Sequence, residues 1–417
     1  MKIFLFFLSL IFTQQIFAKD FSYNGIVFSI LDEKEKTCHT KEGSFAEPGN
    51  AVSGELVLDE IVYDGTTPYT LKLIAPYSFT WCDNLTKVNL PNSVEEIGEH
   101  AFSRCSNLVN VIFPDSLSRI NNNAFESCSK LETISLSNEI ESIGDYAFNL
   151  CRNIQSINLG SSLEYIGEHA FEYCSSLSNV ELPESLKSLG KYVFAYSGIF
   201  SIKIPDKIYI IPDHSFVGCY NLESVELSES VQKINESAFN LCEKLETIDF
   251  PSSVKELGED CFQSSGLNSI IIPSTMERVG RSAFSYCSKL SSVTFLDSSA
   301  IIEDWAFTEC WSIMNVYSFA EEPLKCYSNT FARSGSSCQL HVPIGCRGKY
   351  ATATGWSYFH NIIADLDISS VDQIYYNVVK PLSVYNINGT KISIIDMDKL
   401  NNLPSGIYII NGEKRIK

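Results

Sequence analysis

Nine cysteines recur at regular intervals and are the first residues in the sequence that could carry chemistry. Evenly spaced thiols could form disulfides, bind a metal ion or exchange electrons. A metal site requires about four ligands that converge on one point, and the sequence contains no C-x-x-C pair. Each cysteine occupies one inward-facing repeat position, where a thiol packs as a small hydrophobic group. We therefore predict buried free thiols at Cys82, Cys105, Cys128, Cys151, Cys174, Cys219, Cys242, Cys287 and Cys310.

Five further cysteines lie off this spacing. Cys261 stands where most repeats have alanine, and we predict that it packs in the core. Cys38, Cys326, Cys338 and Cys346 lie in the segments that flank the repeats. An exported protein meets oxidants, so a disulfide among the last three is an open alternative to free thiols.

The histidines do not form a catalytic or metal-binding group. His100, His169 and His214 share one repeat position, but even the nearest two are separated by two coils, about 10 Å. We expect them on the exterior. The sequence contains no G-x-S-x-G, no H-E-x-x-H and no phosphate-binding glycine loop. We therefore predict no enzyme activity, no catalytic residue, no metal and no cofactor.

The overall composition narrows the class of partner. The chain has 50 acidic and 31 basic residues and a formal net charge of −19. Nucleic-acid binding needs clustered Lys and Arg, so this balance excludes a nucleic-acid partner. The hydrophobic fraction of 45% is ample for a folded core.

The first residues have the pattern of a secretory signal peptide. Lys2 precedes a short apolar run, and Ile16, Phe17 and Ala18 precede the predicted cleavage point. The run is too short to cross a membrane, and no later stretch reaches about 18 consecutive apolar residues. The sequence therefore predicts a secreted or outer-surface protein without a membrane span.

The cysteines belong to a repeat that is built on phenylalanine. The steps between successive anchor phenylalanines are 23 residues, and they shorten to 22 after Phe194 and Phe262. Self-similarity at this period is typical of a solenoid, in which stacked coils bury one continuous core. The anchors are Phe79, Phe102, Phe125, Phe148, Phe171, Phe194, Phe216, Phe239, Phe262, Phe284 and Phe307.

Each repeat contains two predicted elements. Ile143, Ala147 and Cys151 are four residues apart, and this spacing predicts a short helical turn with one buried face. Ile157 and Leu159 then alternate with polar residues, as in a strand with one buried face.

The repeat resembles the BspA-like leucine-rich-repeat family. Residues 97–114 carry its pattern I-G-x-x-A-F-x-x-C-x-x-L-x-x-I-x-L-P, with Ile97-Gly98, Ala101-Phe102, Cys105, Leu108, Val111 and Phe113-Pro114 at the matching positions. The resemblance implies secreted or surface proteins of bacteria and some protists, often linked to adhesion. It implies no shared catalytic residue.

The predicted fold class is therefore a β-rich α/β repeat solenoid, a right-handed leucine-rich-repeat coil of about eleven repeats with a small C-terminal β domain. Residues 384–389 and 403–410 also resemble the C-terminal sorting domain of type IX secretion substrates in Bacteroidota, and a β cap on the solenoid is the alternative. The predicted segments are a signal peptide (1–18), an N-terminal cap (19–73), the solenoid (74–320), its C-terminal cap (321–363), a linker (364–378) and a β tail (379–417).

The outward positions of the repeat strands are the candidate ligand contacts. Although the protein is acidic, most of these positions hold Ser, Thr or Asn, which makes a nearly neutral strip of small polar groups. Crowding between strands, which admits only small side chains, is the structural alternative. We predict an adhesin-like scaffold that binds an extracellular protein or glycan, with a passive envelope spacer as the second hypothesis. The candidate residues are Asn110, Thr133, Ser135, Ser156, Asn158, Asn179, Ser201, Ser224 and Thr247.

Overall fold

Parallel strands from successive coils make up most of the chain in a computed structural model. The structure describes residues 19–43, 52–296, 299–334 and 337–368, and the backbone of four short strands between residues 383 and 416. The predicted signal peptide, most of the predicted linker and the Asn-Gly turns at 388–389 and 411–412 lie outside the described residues. The fold is a repeat β-solenoid of about 13 turns with little helix, which confirms the predicted class.

The chain divides into two units, residues 1–228 and 229–417. The first unit begins with six strands, and in its coils one strand lies on each of two sides. The initial strands are β1 (Asp20–Tyr23), β2 (Ile26–Asp32), β3 (Thr37–Thr40), β4 (Gly54–Val57), β5 (Ile61–Asp64) and β6 (Thr67–Ile74). We call the strand that follows the anchor phenylalanine of a coil the face strand, and the two-residue strand that precedes this phenylalanine the back strand.

The face strands of the first unit are β7 (Leu85–Asn89), β9 (Asn110–Ile112), β11 (Thr133–Ser135), β13 (Ser156–Asn158), β15 (Asn179–Val180), β17 (Ser201–Lys203) and β19 (Ser224–Glu226). Its back strands are β8 (Glu96–Ile97), β10 (Arg119–Ile120), β12 (Ser142–Ile143), β14 (Tyr165–Ile166), β16 (Ser188–Leu189) and β18 (Ile210–Ile211). Strands β8, β10, β12, β14 and β16 pair in parallel in that order.

The second unit repeats this arrangement. Its back strands are β20 (Lys233–Ile234), β21 (Glu256–Leu257), β23 (Arg278–Val279), β25 (Ile301–Ile302) and β27 (Lys325–Cys326). Its face strands are β22 (Ser269–Ile272), β24 (Ser292–Phe295), β26 (Asn315–Ser318), β28 (Gln339–Pro343) and β29 (Asn361–Leu366). Helix α1 (Arg347–Thr352) and a 3₁₀ turn (Trp356–Tyr358) separate the last two.

The tail of the second unit is an antiparallel sheet of four short strands. They are β30 (Ser383–Asn386), β31 (Lys391–Ser393), β32 (Ile407–Ile410) and β33 (Glu413–Ile416), and β30 pairs with both β31 and β32. Strand β32 also pairs with β33.

The anchor phenylalanines form one buried stack in each unit. All eleven are fully buried. In the first unit, Phe125 and Phe148 have ring centroids 5.3 Å apart and planes that differ by 1°. The stack of the second unit continues to Phe331, 5.4 Å from Phe307. The stack therefore continues into residues 321–363, the segment predicted to be the C-terminal cap.

The predicted helical turn around each anchor is wrong. In the part of the chain that the structure describes, helical residues are confined to α1, the 3₁₀ turn and Ile368, and all of them follow the last anchor, Phe307. The turn instead places two residues in the left-handed region, such as His100 (φ 53°) and Arg104 (φ 62°), on either side of Phe102. A spacing of four residues returns to the same side in this spiral as it does in a helix, so the apolar pattern could not separate the two.

The left-handed residues make successive amides alternate in direction. The N–H groups of His100, Phe102 and Arg104 donate to carbonyls of the next coil, at 2.7–3.0 Å. The intervening Ala101 and Ser103 donate within their own turn, to Gly98 and His100. The turn therefore holds neighbouring coils together by backbone hydrogen bonds, as a sheet would.

A glycine in the repeat allows the coils to approach closely. A Cβ atom on Gly98 would lie 2.6 Å from the backbone nitrogen of Pro76 and 2.7 Å from the carbonyl oxygen of Ile74 in the preceding coil. A side chain at this position would therefore push the coils apart.

Substitutions at Ser127 distinguish the observed turn from a helix. Ser127 has φ 61°, a conformation that costs an L-residue about 1–2 kcal/mol and costs glycine little. We expect Ser127→Gly to leave the free energy of unfolding unchanged or raise it by up to about 1 kcal/mol, and Ser127→Val to lower it by about 1–2 kcal/mol. Urea denaturation measures both; a helical turn would instead make glycine the more harmful change.

Candidate functional site

Five of the predicted ligand-contacting residues lie in one straight row across the face strands of the first unit. The parallel register places Thr133 beside Ser156, Ser156 beside Asn179, Asn179 beside Ser201 and Ser201 beside Ser224. All five are exposed. We call this set the face row.

The side chains of the face row keep their hydrogen-bonding capacity. No side-chain hydrogen bond joins any of the five to another described residue. Serines in the turns of the same unit behave differently: the hydroxyls of Ser106 and Ser185 donate to Asp83 and to the Leu163 carbonyl. The face row is therefore a line of small polar groups whose donors and acceptors are available to a partner.

A second, shorter row lies beside the first. Ser135 pairs in register with Asn158, whose Oδ1 accepts the N–H of Gly160 at 3.1 Å. Lys203 and Glu226 occupy the same side of β17 and β19 and form an ion pair at 3.7 Å. In this second row, Asn158, Lys203 and Glu226 therefore already have partners within the protein.

The other two predicted residues do not join the face row. Asn110 pairs with Lys87 in a separate three-stranded sheet made of β4, β7 and β9. Thr247 is exposed but lies in no strand, and it belongs to the second unit. The coil that follows Thr247 is shortened at Gly266. The other shortened coil contains Gly198, and the face strand before it, β15, has only two residues. A shortened coil is thus preceded by a short or missing face strand in both places.

The nine ladder thiols are buried, and most of them donate a weak hydrogen bond to a carbonyl of a preceding coil. The Sγ atoms of Cys105, Cys151 and Cys219 lie 3.1 Å from the carbonyl oxygens of Phe79, Phe125 and Phe194 in preceding coils. All 14 cysteines are free and buried, including Cys326, Cys338 and Cys346, so the structure contains none of the disulfides that the sequence left open. The thiols therefore act as packing groups.

Burial also suppresses the reactivity of these thiols. Removal from water raises the pKa of Cys219 to about 12 and that of Cys287 to about 11, because the buried environment disfavours the thiolate. The thiolate is the nucleophile and the metal ligand of cysteine. Within the ranges that the structure describes, no three His, Cys, Asp or Glu side chains are grouped to hold a metal ion. In the same ranges, every helix is too short or too polar to cross a membrane.

The sequence analysis did not predict two columns of stacked rings on the turns of the first unit. The position two before the anchor places Tyr146, His169, Tyr192 and His214 in successive coils, with ring centroids 4.4–4.6 Å apart. The position two after the anchor places Tyr173 over Tyr196 at 4.9 Å. The signal was present, because these residues recur at a fixed offset from the anchor.

Comparison with known proteins agrees with the coil geometry. The sequence profile of the BspA-type leucine-rich repeat region matches in overlapping segments, 72–199, 141–268, 188–314 and 255–380, which together cover more than half of the chain. The chain belongs to the BspA-type leucine-rich-repeat family. No curated protein is significantly similar to it in sequence.

Solved structures of other proteins are similar to this fold. A leucine-rich repeat protein from Bacteroides ovatus is 25% identical, with a TM-score of 0.57 over 82% of this chain and 88% of that one. The pneumococcal vaccine antigen PcpA is 20% identical, with a TM-score of 0.53 over 84% of this chain and 99% of that one. At 20% identity, the similarity to PcpA shows a shared fold and nothing about function.

The buried thiols make the stability of this BspA-type solenoid sensitive to alkaline pH. An unfolded thiol loses its proton near its ordinary pKa of 9.0, whereas folded Cys287 and Cys219 keep theirs to about 11 and about 12. The unfolded state then binds fewer protons, so stability falls as pH rises through this window. We expect the urea midpoint to decrease from pH 8.5 to pH 11, and the decrease to be smaller in Cys219→Ala. An equal pH slope in the two proteins would contradict this assignment.

Proposed function

We propose that the chain is an exported recognition scaffold that binds an extracellular protein or glycan through the face row. The observation that carries the proposal is the in-register line of five exposed polar side chains, none of which forms a side-chain hydrogen bond to another residue that the structure describes. Hydrogen-bonding groups held on a rigid sheet bind a ligand without first being ordered, which reduces the entropic cost of association. The scaffold acts by binding and not by catalysis.

Crowding does not account for the face row by itself. Lys203 and Glu226 occupy outward positions in the same sheet and remain exposed, so the strands accommodate long side chains. Lack of space therefore does not explain why the face row, which lies beside them, holds only small polar residues. A ligand surface explains both the small size and the absent charge.

Charged substitutions in the face row test the proposal. We expect the double variant Ser156→Lys/Asn179→Lys to bind at least about tenfold more weakly to whichever immobilised matrix protein or glycan captures the native protein on an array. Lys203 in the same sheet indicates that lysine is tolerated there. The matched control is Ser188→Lys on the exposed back strand β16, which should bind normally. Unchanged binding of the double variant would remove the face row from the proposal, and no capture at all would favour the passive spacer.

Export and processing form the second part of the proposal. The signal-peptide pattern at residues 1–18 and the likeness of the tail to a type IX sorting domain support secretion or display on the outer surface. We expect the protein recovered from the medium or surface fraction of the producing cells to begin at Lys19. Mass spectrometry of both termini measures this, and a cytoplasmic protein that retains Met1 would contradict it.

A further inference from the structure

A further row of residues lies beside the face row, one position earlier in each coil. Backbone hydrogen bonds continue the ladder of the face strands through it, because the N–H of Phe200 donates to the Ser178 carbonyl at 3.2 Å and the Phe200 carbonyl accepts from the N–H of Glu223 at 2.8 Å. The place of this row beside the face row is therefore fixed. We call it the flanking row, and its members are Glu132, Gln155, Ser178, Phe200 and Glu223.

Phe200 brings an aromatic ring to this otherwise polar surface. It directly precedes Ser201 of the face row and is 46% exposed. No other ring of the residues that the structure describes stacks on it, in contrast to the ring columns of the turns. The anchor Phe194 already supplies the buried ring of the same coil. Part of the Phe200 ring is therefore available to a ligand on the face row.

The sheet presents side chains to a ligand and keeps its backbone paired. Strands β13, β15 and β17 each pair with a face strand on both sides, so a partner cannot add a strand between them. The centre of a protein interface usually buries apolar and aromatic side chains. The centre of the face row instead holds the hydroxyls of Ser156 and Ser201 and the amide of Asn179. These groups suit a ligand that is itself rich in hydrogen-bonding groups.

Charges border the face row but do not enter it. Glu132 and Glu223 lie at the two ends of the flanking row, and Glu181 lies on the opposite side of the face row; all three are exposed. The whole chain has a formal net charge of −19, so an anionic ligand is repelled. A cationic ligand finds no carboxylate within the face row itself. The surface therefore favours a ligand without charge.

We propose that the ligand of the face row is an uncharged polysaccharide that crosses the strands with one sugar stacked on Phe200. This inference rests on the proposed function and names its ligand class. Sugar hydroxyls donate and accept hydrogen bonds, which matches Ser, Thr and Asn side chains. The C–H groups on the face of a sugar ring pack against the negative face of an aromatic ring. Strand spacing places the five face-row side chains over about 20 Å, which accommodates several sugars in succession.

Oligosaccharides of defined charge test the ligand class. The probes are uncharged hexasaccharides of glucose, of mannose and of N-acetylglucosamine in different linkages, with hyaluronan and heparin hexasaccharides as the acidic set. Isothermal titration of the full chain should show binding to at least one uncharged hexasaccharide, weaker binding to the disaccharide of the same sugar, and no binding to the acidic set. Binding confined to acidic sugars, or to no sugar at all, would overturn the inference.

An unglycosylated protein separates this inference from the proposal on which it rests. Matrix proteins produced without glycans are immobilised beside the uncharged hexasaccharides. Capture by such a protein alone, lost in Ser156→Lys/Asn179→Lys, would keep the face row as a binding surface and rule out the polysaccharide. Capture by a hexasaccharide that is lost in the same variant supports both statements. Capture that survives in this variant would remove the face row from both.

Variants of Phe200 test the stacking contact. Phe200→Leu keeps an apolar side chain but removes the ring, and we expect it to weaken hexasaccharide binding about tenfold, whereas Phe200→Trp should retain the affinity. The matched control is Tyr209→Leu, since Tyr209 is 55% exposed and directly precedes the back strand β18; it should bind normally. Unchanged affinity in Phe200→Leu, or an equal loss in the leucine and tryptophan variants, would refute the stacking assignment.

Discussion

Backbone hydrogen bonding between the turns is the constraint on which the rest of the structure depends. Each anchor phenylalanine lies between two left-handed residues, and this conformation makes alternate amides donate to the next coil. The energetic cost is about 1–2 kcal/mol for each L-residue in that region. Hydrogen bonds to the next coil and burial of the anchor offset it. Coil-to-coil register is thereby set in the turn as well as in the strands.

Once the register is set, the position of a side chain in the repeat decides which side chains of the neighbouring coils it contacts. Identical side chains meet directly above one another, so Phe125 stacks on Phe148 and the thiol of Cys151 reaches the carbonyl of Phe125. The same register also operates outside the core, where Tyr146 stacks on His169. A single substitution in one repeat therefore changes the surroundings of the coils on both sides.

The sequence was informative about position and uninformative about backbone conformation. The 23-residue period, the buried anchors and the outward strand residues all follow from spacing, because each coil must bury the same face. The turn was misread as helical since Ile143, Ala147 and Cys151 have helical spacing. Left-handed positions usually hold Gly or Asn, whereas here many of them hold Tyr, His, Trp, Arg, Leu or Ser. The available signal was the lack of Val, Ile and Thr at these positions, because β-branched side chains tolerate that region least.

Strand and turn constrain outward side chains differently. A parallel strand places outward residues in rows about 4.8 Å apart, where Ser156 and Asn179 leave neutral hydrogen-bonding groups beside one another. The left-handed turn instead stacks rings on those of the neighbouring coils, and Glu172 bonds to His169 within one such column. A neutral polar row suits a ligand recognised by hydrogen bonds, whereas stacked rings cover one another's faces and strengthen the contact between coils. The same repeat can therefore leave polar groups available at one position of the coil and pair its side chains between coils at another.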